Sequence, residues 1–139
     1  MGMNDSLQKI VDGQTVNTTE VGNNVYDAGA AVAMSQGVPT WAKLQVDDEA
    51  NTDNTAVCTI YGADDAAMTS NKVALAVITK LAADDVPFNK SAFLDATYKK
   101  RYYRAEFTVG GTGPSMTCDV YLGFGQIAQL SHSTEGVVT

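Results

Sequence analysis

The 139-residue sequence predicts an all-β domain, a sandwich of about eight antiparallel strands with a short N-terminal arm. Three observations predict it. Strict alternation runs through residues 101–109, where Tyr103, Ala105, Phe107 and Val109 share one face and Tyr102, Arg104, Glu106 and Thr108 the other. From Gln14 onward, short runs rich in Val, Thr and Tyr recur between Gly, Asn and Asp clusters. No long helical pattern intervenes, and an open sheet of this size would leave long unpaired edges, so the strands must close on one another. A two-sheet jelly roll meets that demand.

Residues 1–13 make the arm, 14–130 the jelly-roll domain and 131–139 a polar C-terminal tail. Within the arm, Leu7, Ile10 and Val11 have the spacing of one helical face, with Asp5 or Ser6 as cap and Gly13 as stop. The same residues could equally run extended. In either form the segment is too short to hold itself helical, so order there requires docking onto the domain or onto a neighbour.

The first two strands are expected over 15–19 and 24–28, with Val21-Gly22-Asn23 turning between them. Residues 40–46 follow with a clean period of two, Ala42, Leu44 and Val46 against Trp41, Lys43 and Gln45, and an acidic loop begins at Asp47. Strands are expected next at 55–61 and 72–79, separated by a break at 62–71. The stretch 80–96 is the least patterned, with Asp84-Asp85-Val86-Pro87 as a turn and 91–94 as a single helical turn. After the 101–109 strand, Gly110-Gly111-Thr112-Gly113-Pro114 is expected as a hairpin loop leading into a strand over 116–124.

Charge narrows the function. Nine Lys and Arg against sixteen Asp and Glu give a net charge of −7, which opposes direct binding to a phosphate backbone. The main basic cluster, Lys99, Lys100, Arg101 and Arg104 with Tyr102 and Tyr103 between the last two, reads as a solvated strand face with its tyrosines packing inward. Charged residues are only 18% of the chain, a low share that fits a surface with partners. No apolar run approaches the roughly 20 residues of a membrane span. Residues 1–14 carry Asp5, Lys9 and Asp12 and no apolar core of a signal peptide. Cys58 and Cys118 are too few for a disulfide framework and sit at inward positions, so both are expected as reduced, buried thiols.

No catalytic or metal-binding constellation is visible, and the chain is read as a non-enzyme without a cofactor. The one histidine, His132, lies in the tail, where a preorganised site is poorly supported. The acidic pairs Asp47-Asp48, Asp64-Asp65 and Asp84-Asp85 lack the alternating ligand spacing of a calcium loop and read as solvated strand ends. The Gly110–Pro114 loop lacks the Lys and Ser/Thr of a phosphate cradle. Trp41, the single tryptophan, stands on the polar face of its strand, either covered by its own chain or anchoring a partner.

With these residues in order, the chain resembles the cement family of tailed bacteriophages, decoration or minor capsid proteins that form jelly-roll trimers. The resemblance rests on Asp5-Ser6-Leu7, Gly13-Gln14, Val25-Tyr26-Asp27-Ala28-Gly29 and Ala42-Lys43-Leu44-Gln45-Val46. It continues through Arg101-Tyr102-Tyr103-Arg104 to Phe107 and the Gly110–Pro114 loop, and the chain departs from it over 81–94. It implies a structural protein made in the host cytoplasm that binds the outer surface of the icosahedral head as a homotrimer. There it would clamp neighbouring major capsid subunits, with no nucleic-acid or membrane partner.

Asp5, Leu7, Ile10, Val11 and Trp41 are the expected capsid or trimer contacts. On that reading, deleting residues 1–12 weakens assembly and leaves the domain folded. The competing reading is a carbohydrate-binding jelly roll that uses Trp41 or Tyr61 as a stacking platform. An enzyme on the same fold is a weaker alternative, since fold alone does not fix function.

Overall fold

The computed structural model describes residues 7–29, 39–95 and 97–124. Nine strands run through them: β1 (Leu7–Val16), β2 (Glu20–Val21), β3 (Tyr26–Asp27), β4 (Trp41–Glu49), β5 (Thr55–Ala63), β6 (Val73–Lys80), β7 (Phe88–Phe93), β8 (Tyr102–Gly110) and β9 (Met116–Gly123). They form two antiparallel sheets, an all-β sandwich as expected. One sheet has the order β1-β9-β4-β7; the other has β2-β8-β5-β6, with β3 also paired to β8. The pairing is nested. The first strand pairs with the last, β2 and β3 with β8, β4 with β7, and β5 with β6.

The core follows from the alternation. Ala42, Leu44 and Val46 of β4 and Val120 and Leu122 of β9 meet Ala56, Cys58 and Ile60 of β5 and Ala105 and Phe107 of β8 in one buried cluster. Each large apolar side chain removed from water there contributes roughly 1.5–3 kcal/mol. Cys58 and Cys118 are buried free thiols, as expected.

The arm is corrected from Leu7 onward. Residues 7–16 take the extended form, not the helical one, and dock on the domain itself as an edge strand paired with β9 from Leu7↔Gly123 to Val16↔Met116. The register slips between Lys9 and Val11 and again between Val11 and Gln14. An extra residue at such a bulge lets consecutive residues turn the same way. Ile10 and Val11 therefore both enter the core, and three apolar residues with helical spacing belong to a bulged strand. Gly13 occupies the second irregularity with φ +59° and donates its N–H to Asp119 Oδ1 at 2.6 Å.

Three further expectations change. The Gly110–Pro114 loop is not a hairpin: β8 and β9 lie in different sheets, so the loop crosses the sandwich. The 91–94 stretch is extended, the end of β7, whose residues from Phe88 to Phe93 pair with β4. β4 also runs on through Asp47, Asp48 and Glu49, residues expected to open a loop.

The two ends of the sandwich differ in chemistry. At one, the β4–β5 and β8–β9 crossings lie side by side, with Asp53 accepting from the Thr112 N–H and hydroxyl and Asn51 and Asn54 donating to the Thr112 carbonyl. Gly111 is required there: its φ is +106° and a Cβ would meet the Asp53 carbonyl. Beneath this clasp, Lys80 is fully buried. Its Nζ forms an ion pair with Glu49 Oε1 at 2.8 Å and donates to the carbonyls of Asn54 and Leu81.

Candidate functional site

Among the described residues, the opposite end carries an apolar cleft. The cleft, of about 450 Å³, lies where β4 begins and β7 ends, lined by Leu75, Phe93, Leu94, Tyr98 and Tyr103, with Lys99 in its wall. Phe93 is 66% exposed there. Tyr103 is fixed in the wall by accepting a hydrogen bond from the Lys100 N–H, and burial raises its phenol above the ordinary tyrosine value.

The outer faces of the two sheets also differ. On the β1-β9-β4-β7 sheet, Lys43, Tyr121 and Lys9 stand in one row across three strands, with the two ammonium groups 5.8 and 5.5 Å from the ring centroid. Lys9 is held by Asp12 at 2.9 Å and Asp119 at 3.4 Å, and its hydrogen bond to Asp12 raises its pKa further. Asp47 beside them accepts from Gln45 and is held below the usual carboxylate value by that bond. Carboxylates and ammonium groups neutralise one another across this face.

On the other sheet, β5 and β6 carry no exposed charge along their nine and eight residues; their one charged residue, Lys80, is buried. Outward from them stand Val57, Thr59, Val77 and Thr79, with Val77 57% exposed. The charges bordering that face are paired among themselves. Glu106 Oε2 lies 2.7 Å from both Lys72 Nζ and Arg104, and Lys72 also sits 4.4 Å from the centre of the Tyr61 ring. Burial pushes the Glu106 carboxyl up, but the two cations outweigh it and hold its pKa below the ordinary value.

The sequence-predicted contacts do not assemble into a surface. Asp5 lies outside the described residues, and Leu7 opens β1 against Gly123. Ile10 and Val11 are core residues, 1% and 0% exposed, and cannot touch a partner from the folded domain. Trp41 stands on the outer side of β4 but is 3% exposed, covered by its own chain against Gly123. Sequence reasoning missed Phe93, Val77 and Leu81, all more than half exposed. Phe93 was hidden by the helical reading of 91–94, whereas the charge-free run Val73–Thr79 was a visible signal.

Of the acidic pairs, Asp64, Asp65 and Asp84 are each engaged by nearby donors. Asp65 accepts from the Thr69 and Ser70 N–H groups and the Thr69 hydroxyl, which draws its pKa down to about 2. Asp64 accepts from Asn71, and Asp84 caps the Leu81 N–H. Among the described residues, no group of three or more His, Cys, Asp or Glu could hold a metal ion. His132 lies outside the described residues. No helix among the described residues is long and apolar enough to cross a membrane. A scan against protein-family models finds no match to this chain, and a search of curated proteins finds none.

Proposed function

We propose that this chain is a structural capsid cement, or decoration, protein: a jelly roll that binds the outer surface of an icosahedral phage head as a homotrimer and clamps neighbouring major capsid subunits. The nested strand pairing supports the jelly-roll part, because a two-sheet roll forms when a long antiparallel ribbon folds over and pairs its first strand with its last. The observation that carries the reading is the distribution of exposed apolar groups. Phe93 and Leu81, 66% and 58% exposed, and the uncharged β5–β6 face leave separate apolar surfaces on one small domain. A clamp needs such separate contacts, since several weak sites on one lattice add through effective concentration. Binding only the assembled shell would stabilise it by linkage.

The carbohydrate reading loses the two platforms it named. Trp41 is covered, and the Tyr61 ring is engaged by Lys72. A stacking site needs an open aromatic face.

The test is binding of the purified protein to phage heads that lack it. Saturable binding at a fixed number of copies per head, with a raised disruption temperature of the shell, is the expected result. Indifference to heads, together with specific retention on a glycan array, would replace this reading with the carbohydrate one.

A further inference from the structure

We infer that the open edge of β6, together with the outer face of β5 and β6, is the surface at which one copy of this chain meets another. The inference deepens the proposal above by naming the contact behind its homotrimer, and its test uses no capsid, so the two can fail separately.

Free strand edges normally carry a device that prevents pairing with another chain: a charge, a proline, a bulge or simple brevity. Among the described residues, three of the four edges have one. β1 is broken by two register shifts and carries Lys9 and Asp12. β7 is six residues long, follows Pro87 and exposes Lys90. β2 and β3 are two residues each. β6 differs. After the irregularity near Leu75, whose carbonyl is taken by the Asp95 N–H at 2.9 Å, residues 76–79 run regularly along β5 without charge, proline or bulge. Alternation of a strand's hydrogen bonds turns the amide and carbonyl of every second residue there away from β5.

The second copy, rather than a charged partner, is argued from electrostatics. Each copy carries −7, so two copies repel wherever their carboxylates come together. Contact is cheapest where the chain presents no charge. In a chain 18% charged, the exposed surface of β5 and β6 has none, and the cations at its border are already bound to Glu106. Val77 gives this surface an apolar centre, with Thr59 directly opposite it on β5.

The experiment is the solution mass of the full chain by light scattering. The wild type should be an oligomer whose population rises with added salt, because screening relieves the repulsion between copies without weakening an uncharged contact. Val77→Lys should raise the dissociation constant at least tenfold while far-UV circular dichroism stays that of the wild type. Phe93→Lys, at the cleft in the other sheet, should leave the mass unchanged. A monomeric wild type, dissociation by salt, or loss of the oligomer through Phe93→Lys and not Val77→Lys would each overturn the inference. The salt series needs no variant and decides the matter should Val77→Lys fold poorly.

Discussion

The Trp41 indole occupies the space above Gly123 in which a side chain would otherwise stand. The two residues are cross-strand partners in β4 and β9, and a Cβ at position 123 would overlap the five- and six-membered rings of the indole. Trp41 is thereby covered on the outer side of the sheet, and its Nε1 has no hydrogen-bond partner.

Gly123→Ala is therefore expected to destabilise the domain by about 1–3 kcal/mol, the usual cost of forcing extra volume into a packed site. Trp41→Phe should cost less than Trp41→Ala, because it keeps a ring over Gly123 and removes an unpartnered N–H. Urea unfolding followed by circular dichroism measures all three. A Gly123→Ala variant as stable as the wild type would show that the indole has room to move.

The buried pair between β6 and β4 makes a second prediction. Lys80→Met alone leaves Glu49, 8% exposed at its side chain, without its cation, and Glu49→Leu leaves the ammonium without its anion. Each single change should cost about 3–5 kcal/mol, whereas the double change to apolar residues should recover much of that loss. A double-mutant cycle reads the coupling. Additive single costs would mean that the two carbonyls bonded to Lys80, rather than Glu49, hold it in place.

The fold was legible wherever the alternation was unbroken. In β4, β5, β8 and β9 every second residue points to one core, and the observed bounds fall within a few residues of those expected. The pattern misled where a bulge broke it: Ile10 and Val11 became adjacent core residues and imitated a helix. It was silent on which sheet a strand joins, because a glycine-rich loop suits a hairpin and a crossing alike, and only the partners of β8 and β9 distinguish them. Ile10, Val11 and Trp41 failed as expected contacts for one physical reason. Exposed apolar side chains and core side chains look the same in a sequence until burial separates them.

That correction reverses the expected outcome of truncation. Removing residues 1–12 takes away most of β1, including Ile10 and Val11, and uncovers the edge of β9. The truncated chain should be unfolded or strongly destabilised, and Ile10→Ala in the full chain should cost roughly 2–5 kcal/mol. Thermal unfolding checks both. A truncated chain with the wild-type midpoint would restore the detached arm.

The buried thiols make a fourth prediction. Burial raises Cys58 well above the ordinary thiol value and pushes Cys118 up to about 12. The thiolate is the reactive form, so neither cysteine should react with a thiol reagent at pH 8 in the folded protein, and both should react in denaturant. Labelling counted by mass spectrometry decides it. Rapid native labelling of either residue would place it nearer solvent than its burial allows.

Stability should fall on both sides of a broad neutral plateau. On the alkaline side, burial raises Cys58 and Cys118 and also Tyr26, to about 12, and Tyr103. The unfolded chain releases those protons first, from about pH 8.5 for Cys and about 10 for Tyr, so the folded state holds more protons and loses stability as pH rises. On the acid side, the sign reverses. Glu20, Asp47, Asp53 and Asp65 are held low by hydrogen bonds from Asn17, Gln45, Thr112 and Ser70 respectively, so the unfolded chain takes up protons first below about pH 4. Asp47 and Asp53 are exposed and Glu20 and Asp65 partly so, and solvent screening makes the acid limb the shallower of the two. Urea midpoints measured from pH 2 to 11 should trace that asymmetry. A steeper acid limb would assign the pH dependence to carboxylates other than these, with the partly buried Glu106 between Lys72 and Arg104 the first to replace by Gln.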